Sequence, residues 1–555
     1  MREPPFAITL DVGSSRANRT GSWRVQRPVY VDHLPPCNHA CPAGEDIQGW
    51  LYRAEPGDYE SAWRALVEDN PFPAVMGRVC FRPCEAACNR GRLDEAVGIN
   101  AVERFLGDAA IEHGWPLPGP GPDTGRVVLV VGGGPAGLSA AYRLRRSGHR
   151  VRLVDASPQL GGMLRYGVPA YRLPRDVLDA EVARIVGMGV DVVLDHPVRD
   201  VAAEREQAGA DAVFLAVGAQ LGHRTEIPAG DAGRIVDAVT LLHGVAEGQP
   251  PALGRRVAVY GGGDTAFDAA RTARRLGATD AVVVYRRTRE RMPAHPEELD
   301  QAVIEGVTVR WLRTVDHFDP GHLVVERMVL DDAGFPQPTG EREALDADSL
   351  VLALGQDADL SLVDADPDVA VDHGAIAVDG SMMAAASGVF AGGDAVPSER
   401  TATVAIGHGA RAARGIDAYL AGAPAPGAGR PVDARLDAPA DAPPDLATFD
   451  RLNTWYYADA PRQHRPELER ARRRRTFDEV VGGLTGENAL FEARRCLSCG
   501  NCFECDNCFG VCPDNAVIKL EPGNRYEIDY DFCKGCGLCA EECPCGAIDM
   551  RPEPI

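Results

Sequence analysis

The sequence predicts a multidomain chain: a helical N-terminal domain, two doubly wound α/β domains in the middle and a small α+β domain at the C-terminus. Three observations carry this. Sixteen cysteines fall into two groups, five from Cys37 to Cys88 and eleven from Cys496 to Cys545, with none between. Two glycine-rich turns, at Gly132 and Gly261, each follow an apolar run and open a helical pattern. The length of 555 residues gives room for three or four cores.

The cysteines need an explanation other than disulfides. No apolar run reaches the length of a membrane span, and MREPPFAITLDVGSSRANR has no signal-peptide core. Both features predict a cytoplasmic protein without membrane contact, in which thiols stay reduced. Clustered reduced thiols are metal ligands. The net charge of −23 and pI of about 5.0 argue against a nucleic-acid partner.

Residues 1–36 carry no chemical motif and are expected to be an extension that docks a partner. Residues 37–120 are expected to form a helical iron–sulfur domain, with helices at YESAWRALVEDN and AVERFLGDAAIEHG. Its thiols read C-x3-C-P (Cys37, Cys41) and C-x3-C-x3-C (Cys80, Cys84, Cys88). Five ligands do not complete two [4Fe–4S] clusters, which take four each.

Two Rossmann-like α/β dinucleotide-binding domains follow. Val127–Val131 reads as a buried parallel strand leading into Gly132-x-Gly134-x-x-Gly137, where backbone and helix N-terminus receive a pyrophosphate. The next strand, Val151–Val154, ends in Asp155, an acid placed for ribose hydroxyls. A second copy has Gly261, Gly263 and Ala266 in the three positions, and its next strand, Ala281–Tyr285, ends in Arg286 and Arg287. Guanidinium groups there either suit a 2′-phosphate, favouring NADP(H) over NAD(H), or stack on the adenine without discriminating. In GVFAGGDAV, Gly393 and Asp394 are placed to meet a flavin's ribityl chain or pyrophosphate. Two such units imply two dinucleotides, a stationary flavin and a diffusible nicotinamide. The expected division is 121–253 and 352–422 for the discontinuous first domain and 254–351 for the second. A linker (423–450), a helical connector (451–495) and a ferredoxin-like domain (496–555) complete the chain. The basic run at Arg470 and Arg472–Arg475 is either a docking patch for an acidic partner or a solvated helix face.

CFECDNCFGVCP and CKGCGLCAEECP are both C-x2-C-x2-C-x3-C-P, in which the fourth cysteine ligates the other cluster. One cluster then takes Cys502, Cys505, Cys508 and Cys543; the other takes Cys533, Cys536, Cys539 and Cys512. Cys496, Cys499 and Cys502 repeat the same spacing, but only the later register ends in C-x3-C-P. VIKLEPGNRYEID between the runs reads as a hairpin. Cys545 is left over as a small buried residue.

The order of motifs, with GGMLRYGVPAYRLP and VYRRTRERMPAHPEE, resembles the glutamate synthase small subunit and the electron-input half of dihydropyrimidine dehydrogenase. The resemblance runs from about Cys37 to Leu420. It implies FAD on the Gly132 unit, NAD(P)(H) on the Gly261 unit and direct hydride transfer between them, with no side chain as acid or base. It also implies a fourth ligand at Glu103, in GINAVERF, completing a set with Cys41, Cys80 and Cys84. That family carries a further C-L-x-C-G upstream of the first cysteine pair. Here YVDHLPP stands in its place, and the string appears instead as Cys496-Leu497-Ser498-Cys499-Gly500. A pair displaced in sequence but not in space would give a cluster on Cys37, Cys88, Cys496 and Cys499, and four [4Fe–4S] clusters in all.

The segment from Cys502 resembles the delta subunit of 2-oxoacid:ferredoxin oxidoreductases, especially in YDFCKGCGLCAEECPCGAIDM. The whole is similar to the electron-transfer subunit of NADH-dependent phenylglyoxylate dehydrogenase. The expected activity is that of an NAD(P)H:acceptor oxidoreductase subunit. Its expected partners are thiamine-diphosphate 2-oxoacid oxidoreductase subunits, ahead of a glutamate synthase large subunit or a hydrogenase or formate dehydrogenase. A non-catalytic iron–sulfur conduit is disfavoured by the intact glycines Gly261 and Gly263.

Overall fold

The computed structural model describes residues 19–223, 225, 227–228, 234–319, 321–385, 388–428 and 445–554. The start of the extension (1–18) and most of the expected linker (429–444) lie outside the described residues.

The helical domain is built from Ile47–Ala54, Tyr59–Val67, Pro73–Val79 and Ile99–His113 around buried Trp50, Trp63, Phe72 and Leu106. Asp46 and Asp58 cap the first two helices, accepting from Gly49 N and Ser61 N. The last two cross at glycines. A Cβ on Gly77 would meet Arg104 Cβ at 2.3 Å, and one on Gly107 would meet Ala74 N at 2.2 Å. This close approach sets Cys80, at the end of one helix, beside Glu103 on the other.

In the first α/β domain, Val127–Val131 sits in the middle of a six-stranded sheet, between Arg150–Val154 and Ala212–Leu215. Its burial on both faces explains a strand without polar alternation. Val389–Ala391 joins the same sheet parallel to Ala212–Leu215, so the domain is discontinuous in the chain. The second domain has five parallel strands, Thr308–Trp311, Asp280–Tyr285, Arg256–Tyr260, Ser349–Leu352 and Arg234–Asp237. The edge strand Arg234–Asp237 precedes residue 254, so the second domain begins earlier than its glycine motif suggests. A three-stranded antiparallel sheet, Arg313–Asp319, His322–Leu330 and Pro336–Asp346, is added to it.

The connector departs from expectation. It holds α-helices only at Arg470–Arg473 and Gly486–Ala493, with a 3-10 turn at Thr454–Tyr456, and otherwise runs as an irregular strap. Polar contacts fix it: Arg465 Nη1 donates to Gly77 O at 2.9 Å, and Val480 N donates to Tyr171 O at 2.9 Å. Of the arginine run, Arg470, Arg472, Arg474 and Arg475 are exposed and one residue turns inward. Arg473 is buried against Glu467 and Gln301 of the second α/β domain, and Arg474 Nη2 donates to Ile304 O. The described end of the N-terminal extension is also committed internally, because Gln26–Tyr30 pairs antiparallel with Ile548–Pro552. Among the described residues no helix is long and apolar enough to cross a membrane.

Candidate functional site

One cavity joins the two glycine motifs. Gly132, Gly134, Asp155, Gly393 and Asp394 line it from the first domain, and Asp264, Thr265 and Asp268 from the helix after Gly263. Gly132 has φ +104°, and a Cβ there would lie 2.3 Å from Ala216 O, so only glycine makes this turn. Asp155 braces the loop, accepting from Gly133 N at 2.6 Å and Ser157 N at 2.7 Å, which leaves further lone pairs toward the cavity. Burial pushes the Asp394 carboxyl up, against the opposing charge of Arg400. Below that loop, burial lowers buried His408 to about 4, keeping it neutral as the acceptor of Gly393 N at 3.2 Å. These residues fit a flavin dinucleotide: open backbone at the phosphates and an acid at the ribose. Gly261, Gly263 and Ala266 repeat the turn in the second unit. At its rim Arg286 is exposed, while Arg287 carries a buried Nε with no hydrogen-bond partner among the described residues.

Three thiols stand against this cavity. Val79 and Phe81, which line it, flank Cys80. Cys80 Sγ accepts from Thr403 Oγ1 at 3.2 Å and from Arg82 N at 3.3 Å. Burial, and then the charge of Glu103, push its thiol up to about 12. Cys84 is raised first by burial and then by Cys41 and Cys80, which places the three together. Glu103 is buried beside them, raised by burial and then by Glu45. Asn70 Nδ2 bridges the two carboxylates, donating to Glu103 Oε1 at 2.9 Å and to Glu45 Oε1 at 3.0 Å. Glu45 was missed by the sequence reading. Its only signal is its place four residues after Cys41, in the turn that begins at Cys41-Pro42.

Cys37, Cys88, Cys496 and Cys499 line a second, small cavity with Leu51, Val97 and Ile99. The chain ends therefore meet, as the displaced C-L-x-C-G suggests. Cys37 is pushed up by burial and then by Cys88, Cys496 and Cys499, so four apolar-packed thiolates would repel without a cationic centre among them. Arg495, 2% exposed, fixes the displaced pair. Its guanidinium donates to Glu95 O at 2.6 Å, Ala460 O at 3.0 Å and Ala96 O at 3.2 Å, and pairs with fully buried Glu492 at 3.0 Å. Cys37 and Cys41 lie one helical turn apart, so one short helix serves both sites.

In the C-terminal domain Cys512, Cys533, Cys536 and Cys539 line a third cavity. Burial raises Cys508 to about 11, despite the Tyr30 Oη donating to its Sγ at 3.2 Å, and Cys502, Cys505 and Cys543 add to the rise. Cys545 is buried with its Sγ 3.7 Å from Cys543 Sγ, and this contact holds Cys543 down. Among the described residues no three His, Cys, Asp or Glu converge as a single metal ion requires. A cubane holds its ligands further apart than one ion does, so the four-thiol cavities fit clusters rather than zinc.

Fold and sites together define an oxidoreductase that joins a flavin–nicotinamide core to iron–sulfur domains at both ends. The family model for pyridine nucleotide-disulphide oxidoreductases matches residues 126–409, dihydropyrimidine dehydrogenase domain II (4Fe-4S cluster) matches 26–115, and a 4Fe-4S binding domain matches 526–549. The chain belongs to the pyridine nucleotide-disulphide oxidoreductase family, and its cofactors are FAD, NAD(P)(H) and [4Fe–4S] clusters. It is 36% identical to the NADP(+)-dependent formate dehydrogenase subunit beta of Moorella thermoacetica, over 84% of this chain and 70% of that one. It is 32% identical to the NADPH-Fe(3+) oxidoreductase subunit beta of Geobacter sulfurreducens, over 85% and 76%. It is 34% identical to the glutamate synthase [NADPH] small chain of Azospirillum brasilense, over 70% and 86%. It is an electron-transfer flavoprotein of the kind that works as a subunit.

Proposed function

We propose that the chain exchanges electrons between NADP(H) and a partner oxidoreductase through FAD and four [4Fe–4S] clusters. The observation that carries this is the run of sites: the dinucleotide cavity, the Cys41–Cys80–Cys84 site against it, the Cys37–Cys88–Cys496–Cys499 site one helical turn on, and then Cys502, three residues after Cys499. Bound in the cavity, FAD would take a hydride from the nicotinamide and release its electrons singly. The protein's part is to hold the two dinucleotides face to face and to shield the thiol sites from water. Glu103 is the proposed fourth ligand beside Cys41, Cys80 and Cys84, with Asn70 orienting it.

NADP(H) is favoured by Arg286 and Arg287 at the end of the strand Asp280–Tyr285, where guanidinium groups suit a 2′-phosphate. The three relatives cited are named for NADP(H), which supports the same choice. Two partners are supported by specific observations. The relative named as a formate dehydrogenase subunit is 36% identical over 84% of this chain, whereas the 2-oxoacid:acceptor reading rests on the ferredoxin segment alone, so a formate dehydrogenase is put first. A thiamine-diphosphate 2-oxoacid oxidoreductase stands second. The experiment is reconstitution with the co-purifying subunits. NADP+ reduction driven by formate supports the first, and reduction driven by a 2-oxoacid with coenzyme A supports the second. Failure of NADPH and NADH alike to reduce a viologen dye sinks the electron-transfer reading itself. Arg287→Ala is expected to erase the preference for NADPH while leaving NADH turnover in place.

A further inference from the structure

All sixteen thiols are described, and only Cys505 and Cys536 are exposed, one from each of the two ferredoxin-domain groups. If electrons leave the chain, they leave between these two. The helix Leu538–Glu541 begins two residues after Cys536, and the connector is fastened to its far end. Asn453 Nδ2 donates to Glu541 O at 2.9 Å, and Tyr456 Oη donates to Glu542 Oε2. Glu542 O in turn accepts from Asn507 Nδ2 at 3.2 Å, two residues from Cys505. The turn thus held carries Trp455, which is 88% exposed, and its backbone N donates to Asn453 Oδ1 at 3.2 Å. Leu538 and Phe509, 43% and 47% exposed, add apolar surface on the facing short helices.

An exposed tryptophan on a turn fastened to Glu541 and Glu542, the end of the helix that follows Cys536, is the anchor an interface uses, since buried aromatic anchors dominate binding energy. Its surroundings select the partner by charge. Residues 496–555 hold eleven Asp and Glu against four Lys and Arg. Three of those cations are already paired, Lys519 with Asp506, Arg525 with Asp32 and Lys534 with Asp514. Two copies of so acidic a face repel each other, and nucleic acid is repelled likewise. A basic protein surface is attracted.

We infer that the face formed by Trp455, Tyr456, Glu541 and Glu542 between Cys505 and Cys536 is the docking surface for a basic redox-protein partner. This rests on the electron-transfer reading above and names where electrons cross between the chain and its partner, in either direction. In the NAD(P)H-oxidising direction, each encounter oxidises the chain by one electron and reduces the partner's centre by one. Two encounters accompany conversion of one NAD(P)H to NAD(P)+ and a proton.

The probe is oxidised cytochrome c, a basic one-electron haem protein, titrated calorimetrically into the cluster-loaded full chain at low ionic strength. The expected result is binding that weakens with salt, and that weakens by about tenfold or more in Trp455→Ala and in Glu541→Lys/Glu542→Lys. NAD(P)H-driven reduction of menadione, a small neutral acceptor, is expected to stay unchanged in both variants. Wild-type affinity in Trp455→Ala overturns the assignment. So does a wild-type dimer in sedimentation that Trp455→Ala dissolves, because the face would then belong to a second copy. A wild-type chain that reduces neither menadione nor a viologen would instead overturn the electron-transfer reading.

Discussion

The two iron–sulfur regions solve one problem by opposite means. In the ferredoxin domain the eight proposed ligands, Cys502 to Cys543, come from one repeated run, and the fold only has to close two short helices and a hairpin on each other. In the N-terminal domain five local thiols do not suffice for two clusters, and the proposed set draws on Cys496 and Cys499, which line one cavity with Cys37 and Cys88 from beyond both α/β domains. Loop-closure entropy grows only slowly with length, so this long return is tolerable once Arg495 and Glu492 anchor it. The lesson is that the second design makes one cluster site conditional on the whole chain being folded, whereas the first is local.

The sharpest way to break this comparison is truncation. Ending the chain at Arg495 is expected to remove three cluster sites rather than two, taking iron from about sixteen to about four per chain. The double variant Cys496→Ser/Cys499→Ser tests the same point without removing a domain, and is expected to lose about four irons with both ferredoxin EPR signals intact. A full complement of iron in that variant sinks the shared site.

Glu103 separates the two N-terminal sites from each other. Glu103→Ala is expected to lose, or make labile, only the cluster on Cys41, Cys80 and Cys84, whereas Glu103→Gln retains a ligand oxygen and keeps it. If Glu103→Ala holds its iron and Glu45→Ala does not, the ligand is the neighbouring carboxylate that Asn70 also holds.

The smallest effect concerns how far the ferredoxin domain is self-contained. Tyr30, on the strand Gln26–Tyr30, donates to Cys508 Sγ at 3.2 Å, and hydrogen bonds to cluster sulfurs help set potential. Tyr30→Phe is expected to lower the midpoint of the cluster on Cys502, Cys505, Cys508 and Cys543 in a potentiometric EPR titration. The cluster on Cys512, Cys533, Cys536 and Cys539 should stay where it is. Equal shifts in both would assign the effect to general loosening of the strand pair rather than to the bond.

What was legible in the sequence was whatever repeats at short range. Val127–Val131 and Arg256–Tyr260 show as apolar runs because a central parallel strand is buried on both faces. The Gly132 turn shows because a Cβ there strikes Ala216 O. The ferredoxin register shows because three thiolates of one cubane must come from neighbouring residues. The relocated pair was visible only as a string out of place, and the structure sets it against Cys37 and Cys88. In the connector's basic run Arg470, Arg472, Arg474 and Arg475 are exposed as the pattern suggests, and only the burial of Arg473 against Glu467 and Gln301 was not legible.

By itself, then, the sequence determined the chemistry: two dinucleotide folds and cysteines in cubane spacing, because backbone turns and local ligand sets are short-range constraints. Only the tertiary structure decided that Gln26–Tyr30 completes the ferredoxin domain's edge, that Glu45 shares Asn70 with Glu103, and that Trp455 stands in solvent on a turn held by Glu541 and Glu542. Those are contacts between residues far apart in the chain. No local pattern encodes them, because they depend on which surfaces remain to be covered once each domain has formed its own core.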